Sequence, residues 1–135
     1  MIINGGIVTY NPDIEKLKKN LSRIAGQVWK LVIADNGSKN IEDIKRLAAA
    51  FENVSVILNY ENFGIARALN QIMKWSSNNG GDWTITLDQD SECSDCIIDL
   101  YKPYLNKEDV GMLTCCKQPL SAASRAAFPG QSGPY

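Results

Sequence analysis

Apolar residues recur along this chain in two alternating rhythms, short strand-like runs and longer stretches of helical period. Ile2 to Tyr10 reads as a first strand, although Asn4-Gly5-Gly6 weakens it, since glycine gives a strand no side chain to pack. A helix follows in which Asn11 can cap, Pro12 suits the first helical position, Ile14, Leu17, Leu21 and Ile24 form one stripe, and Gly26 ends the pattern. Val28 to Ala34 reads as a buried strand. Asn40 with Asp43 resembles a capping box opening a helix with Ile41, Ile44, Leu47, Ala48 and Phe51 on one face. Val54 to Leu58 is the third strand. The next helix runs from about Gly64 to Ser76 with Ile65, Leu69, Ile72 and Met73 as its apolar face, and Asn78-Asn79-Gly80-Gly81 resets the chain into the strand Trp83 to Leu87. Ser94 suits the cap of a helix through Leu100 that Pro103 bends or stops, and Val110 to Thr114 reads as a fifth strand. Strands joined by helical crossovers predict an α/β fold, a mainly parallel sheet covered on both faces.

Composition narrows the class. With 135 residues, 44% of them hydrophobic, 21% charged and a net charge of −1, the chain suits one globular domain with a substantial core. No charge asymmetry points to nucleic acid as a partner. Without an apolar run of about 18 residues or a charged-then-apolar leader, the expected location is cytoplasmic. The four cysteines, Cys93, Cys96, Cys115 and Cys116, do not form a zinc pattern, because Cys93-x-x-Cys96 has no second C-x-x-C. Nor does that pair open the helix after a first strand, as a thioredoxin-like motif would, so reduced, unpaired thiols are expected. Histidine is absent from the sequence, which removes Ser-His and Cys-His nucleophilic catalysis and leaves acid-base work to carboxylates.

Polar motifs close three of the strands: Thr9-Tyr10-Asn11-Pro12, Asp35-Asn36-Gly37-Ser38 and Asp88-Gln89-Asp90-Ser91. In parallel sheets ligands bind beyond the carboxyl ends of the strands, so the three are expected to share a cleft. Alternate residues of a strand point to one side, which lets Asp88 and Asp90 converge on a hard divalent cation where the strand runs out. Asp35, placed directly after an apolar run, can accept hydrogen bonds from a base N–H or a ribose hydroxyl. Taken singly, D-N-G-S is also the composition of an ordinary turn, and a D-x-D triplet that of a solvated one.

In order and spacing, these motifs together with Asn62-Phe63-Gly64-Ile65-Ala66-Arg67-Ala68-Leu69-Asn70 resemble the family 2 nucleotide-sugar glycosyltransferases of GT-A fold, and among them the bacterial rhamnosyltransferase-like group. The resemblance covers roughly residues 2 to 114. It implies a Rossmann-like three-layer α/β/α sandwich, here truncated, in which residues 1 to 118 form the donor-binding half. It further implies that Thr9, Tyr10, Asn11, Asp35 and Asn36 line the nucleotide, with Asp35 reading the base. Asn62, Gly64 and Asn70 would shape the nucleotide-side wall, and Arg67 would reach the diphosphate. Asp88 would lie near ribose and metal and Asp90 would bind Mg²⁺ or Mn²⁺. The activity implied is inverting, metal-dependent transfer of a sugar from a dTDP- or UDP-linked donor to a saccharide or lipid-linked acceptor in cell-surface polysaccharide synthesis, at the inner face of a membrane or free in the cytoplasm.

The sequence departs from that family where the acceptor half and its catalytic base should follow, since the base is expected beyond residue 135. Pro119 to Tyr135 is rich in Ala, Ser, Gly and Pro, has no carboxylate and reads as a disordered tail. A non-catalytic nucleotide-binding or interaction module is therefore the alternative, with self-association through apolar surface that the missing half would have covered. A generic Rossmann or receiver-like domain fits less well, because no G-x-G-x-x-G follows the first strand.

Overall fold

The computed structural model describes residues 1–114, where strands and helices alternate as β1 (Ile3–Thr9), α1 (Ile14–Ile24), β2 (Leu31–Asp35), α2 (Ile41–Ala48), β3 (Val54–Leu58), α3 (Ile65–Asn78), β4 (Trp83–Asp88) and α4 (Ile97–Leu105). The four strands pair in parallel in the order β3-β2-β1-β4. β2, flanked on both sides, is Leu-Val-Ile-Ala-Asp with every residue buried, the continuous apolar run that a doubly covered strand needs.

Because parallel crossovers are right-handed, stepping from β1 to β2 to β3 puts α1 and α2 on one face, and returning past β1 to β4 puts α3 on the other. The packing follows this scheme. Leu17, Leu21 and Ile24 of α1, Ile44 and Ala48 of α2, and Ile98 of α4 gather with Ile7, Leu31 and Ile33, whereas Val32 and Ala34 meet Ala68 and Ile72 of α3. The result is the three-layer α/β/α arrangement.

Several local expectations change. Asp13, not Asn11, caps α1, its carboxylate accepting from the Lys16 N–H at 3.1 Å, while Asn11 turns the chain at φ 44° and Pro12 lies outside the helix. Asn40 precedes α2 without capping it through its side chain: its Nδ2 donates to the Pro12 carbonyl at 2.9 Å while its Oδ1 accepts no hydrogen bond, so the capping box does not form. α1 gives way at Ala25–Gln27 to a short 3-10 turn. α4 starts after Cys96 rather than at Ser94, and Pro103 sits inside it. Val110 to Thr114 is not a strand: it pairs with no neighbour among the described residues, and Gly111 within it favours no extended ladder.

The apolar face expected for α3 holds in part: Ile72 is buried and Leu69 packs half-buried against the same cluster. Ile65 and Met73 are 60% and 51% exposed, and the buried stripe is Ala68, Ile72 and Ser76. α3 rests directly on the β1 backbone through Ile72: a Cβ on Gly6 would lie 2.2 Å from Ile72 Cγ2, so the strand supplies the small residue and the helix the large one. Gly6, one half of the pair that weakened the strand signal, is what admits the helix, whereas a Cβ on Gly5 would meet Leu31 and Val28.

Cys93 is buried, Cys96 is exposed, and both are free thiols; burial pushes the Cys93 thiol up from its ordinary pKa. Among the described residues no helix is long and apolar enough to cross a membrane. Cys115, Cys116 and the tail expected to be disordered lie outside the described residues. Gly6→Ala should lower the unfolding free energy by about 1–3 kcal/mol, the usual cost of overpacking. Gly26→Ala, with open space around its added methyl, should change it by less than about 0.5 kcal/mol. Urea unfolding of the two variants measures the contrast.

Candidate functional site

The strand order reverses beside β1: the chain leaves β1 toward β2 on one side, and β4 arrives on the other, so α1 and α3 lie on opposite faces and the crevice of such a switch point falls beyond the carboxyl ends of β1 and β4. The polar motifs meet at this end of the sheet. On the β2 side they bond chiefly to one another. Asp35 is 1% exposed, and each of its carboxylate oxygens accepts two hydrogen bonds. Oδ1 takes the Thr9 hydroxyl at 2.8 Å and the Ser38 hydroxyl, while Oδ2 takes the backbone N–H groups of Gly37 at 3.1 Å and Ser38 at 2.9 Å. A carboxylate offers about four lone-pair positions, so all are engaged. A base N–H would reach Asp35 only by displacing one of the two hydroxyls.

Asn11 laces the same loops. Its N–H donates to Ser38 Oγ at 2.8 Å and its Oδ1 accepts the Lys39 N–H at 2.8 Å, which accounts for its left-handed backbone, tolerated best by Gly and Asn. Asn36 donates to the Gly64 carbonyl at 3.3 Å and accepts from Asn59 at 3.2 Å, and Asn59 forms a reciprocal amide pair with Gln71. Asn59 and Gln71, which tie β3 to α3, are not legible as site residues because lone amides carry no motif.

The Asn62-to-Asn70 segment builds the entrance to α3. Asn62 Oδ1 accepts the Gly64 N–H at 2.8 Å in a local turn, and Gly64 holds φ 85°, a conformation that favours glycine. The Arg67 guanidinium stacks on Phe63, 3.9 Å from the ring centroid, and Asn70 is exposed. These residues lie beside the β2 and β3 ends, joined to them through Asn36, rather than against Asp88.

Asp88 ends β4, and Asp90 is placed by a turn instead of by strand alternation, because Ser91 N–H bonds back to the Asp88 carbonyl at 3.2 Å. Both side chains are exposed, and neither carboxylate has a partner among the described residues. Gln89 between them reaches the main chain of Tyr10, accepting its N–H at 2.9 Å and donating to its carbonyl at 3.4 Å, and so bridges the ends of β1 and β4. Glu92 and Asp95 are both drawn to Arg23 of α1, at 3.5 and 2.7 Å.

Two free carboxylates on one turn are hard oxygen donors of the kind Mg²⁺ or Mn²⁺ takes. Among the described residues no group of three or more His, Cys, Asp or Glu is gathered, so such an ion would complete its shell with phosphate oxygens and water. That suits an ion held jointly by protein and diphosphate.

Comparison with known proteins is decisive at the level of family, because a model described as glycosyl transferase family 2 matches residues 6–118. The chain belongs to glycosyl transferase family 2. It is also similar to a dTDP-rhamnosyl transferase, RfbF, of Shigella flexneri, 31% identical over 103 residues, which are 76% of this chain and 34% of that protein. The chain thus spans about a third of its relative's length. Within this family 2 chain, Asp35→Asn should lower the unfolding free energy by about 1–3 kcal/mol, because the new amide group faces donors it cannot accept. Thr9→Val should cost less, since Ser38 still satisfies Oδ1. Urea unfolding of both variants is the check.

Proposed function

We propose that this chain is the donor-binding half of an inverting, metal-dependent glycosyltransferase that takes a dTDP- or UDP-linked sugar. Rhamnose, the sugar in the name of the relative, is the first candidate to be carried, and the acceptor is a saccharide or lipid-linked saccharide of the cell surface. The observation that carries the reading is the pair of unpartnered carboxylates, Asp88 and Asp90, on a turn that Gln89 fastens to the end of β1.

On this reading the diphosphate lies over the turn and the nucleoside over Thr9, Tyr10 and Asn11. The Tyr10 ring, 49% exposed, offers a face for the ribose or base. Asp35 receives a pyrimidine imide N–H once the Ser38 hydroxyl rotates away, with Asn36 holding the turn beneath. Arg67, stacked on Phe63, and Asn62, Gly64 and Asn70 form the outer wall. A bound Mg²⁺ or Mn²⁺ would neutralise charge on the departing diphosphate. The acceptor hydroxyl attacks the anomeric carbon from the opposite side and gives its proton to a carboxylate outside residues 1–135; Glu92 is already committed to Arg23. The protein works in the cytoplasm, including the inner face of the membrane.

A binding or interaction module without catalysis is the second reading. It is favoured by the edge of β4, which has no strand beside it among the described residues and borders a groove of about 710 Å³, lined by Trp83, Ile85, Ile97 and Leu105, that invites another chain or a second copy. Slow hydrolysis of a bound nucleotide sugar separates the first reading from this one.

Without a cation the two carboxylates repel phosphates, so calorimetry should show dTDP or UDP binding with Mn²⁺ and little or none in EDTA. Asp90→Asn should weaken the Mn²⁺-dependent binding, and ADP should compete poorly, by about 1–3 kcal/mol for a lost buried pairing. Equal affinity in Mn²⁺ and EDTA, or a preference for ADP, would overturn the proposal.

A further inference from the structure

α1 carries a fully buried polar residue inside its apolar stripe. Asn20, between Leu17 and Leu21, is 0% exposed; its Nδ2 donates to the Asp88 carbonyl at 2.7 Å, and its Oδ1 has no partner. Leaving a buried carbonyl oxygen unpaired is unfavourable, and a leucine at this place would fill a similar volume among apolar neighbours without that cost. Packing alone therefore does not call for asparagine here.

What Asn20 touches supplies a reason. The Asp88 carbonyl also accepts the Ser91 N–H, closing the turn that carries Asp90, so one oxygen joins the turn's own hydrogen bond to the helix. Asn20 does not act alone. Arg23 holds Glu92 and Asp95, and Gln27 donates to the Ser94 carbonyl at 2.9 Å while accepting the Ile98 N–H at 3.4 Å. Asn20, Arg23 and Gln27 stand at i, i+3 and i+7, a single stripe down one side of α1 and its 3-10 extension. Of the three, Asn20 is the one that is buried and that reaches Asp88 itself, while the Arg23 pairs are exposed and contribute little.

We infer that Asn20 is a positioning residue for the acidic turn: its amide fixes the Asp88 carbonyl and thereby the direction in which the Asp88 and Asp90 carboxylates present themselves to a divalent cation and diphosphate. This rests on the donor-site reading above. Residues that orient the holders of a metal typically change its affinity about 10–100-fold when replaced.

The test separates orientation from stability. Asn20→Leu and Asn20→Ala are compared with the parent for melting temperature, for Mn²⁺ affinity by electron paramagnetic resonance with and without dTDP, and for hydrogen exchange of the Ser91 amide. Asn20→Leu should keep or raise the melting temperature, while Mn²⁺ affinity falls about 10-fold or more and Ser91 exchanges faster. A parent that binds Mn²⁺ and an Asn20→Leu chain that binds it equally well would overturn this inference alone. Loss of melting temperature in both variants with Mn²⁺ affinity unchanged in the folded fraction would do the same. A parent that binds no Mn²⁺, with or without dTDP, would overturn the donor-site reading and this inference together.

Discussion

Burying an ionised carboxylate is costly unless donors surround it, and Asp35 at the end of β2 is buried with four of them. Those donors come from two places, the last residue of β1 and the turn after β2, so the charge can be buried only if both segments take up their observed shapes. Asn11 then bonds to Ser38 and Lys39, Asn36 to Gly64 and Asn59, and Asn59 to Gln71. One charge thereby fixes the β1 and β2 loops and, through the amides, the start of α3. Opposite this stiff wall lies the Asp88-to-Ser91 turn, whose carboxylates are free and whose main chain is held from α1 and Tyr10. Stiff support and unengaged charge are the combination that a diphosphate and its cation require.

Much of this was legible in the sequence. Val54 to Leu58 is a strand to the residue, and the apolar stripe of α1 packs as its period predicts, because both signals report burial directly. The family followed from four motifs in register, and the match over residues 6–118 agrees with it. What the pattern missed has physical causes. Hydrophobicity favours Ile65 and Met73 for the buried face of α3, but the helix seats on Gly6 through Ile72, and Ala68 and Ser76, which complete the buried stripe, carry little hydrophobic signal. The cap of α1 moved to Asp13 because Asn11 is used by a loop distant in sequence. Asp35 reads as a ligand-facing acid from its place after a strand, yet that place does not reveal that Thr9 and Ser38 saturate it. Asn20 was invisible for the opposite reason, as a polar residue in a helix usually faces water.

The faces of the sheet and its β4 edge differ in how far they are covered. The core clusters close on both faces of the sheet among residues of β1 to α4, and Gly6 lets α3 seat without any later segment. What stays open is β4, whose outer edge has no strand beside it among the described residues and borders the 710 Å³ groove. A parallel edge with unpaired N–H and C=O groups is a template for further chain.

The central claim is that the ends of β1 and β4 together form a cation-dependent nucleotide site, and the most direct measurement is residue-resolved NMR of the chain with dTDP and substoichiometric Mn²⁺. Paramagnetic broadening should be strongest at the amides of Asp88 to Ser91, extend to Tyr10 and Asn11, and spare Gly80 to Trp83 at the far end of the sheet. Broadening centred elsewhere, or the same pattern with and without the nucleotide at Asp88 but nothing at Tyr10, would contradict the account.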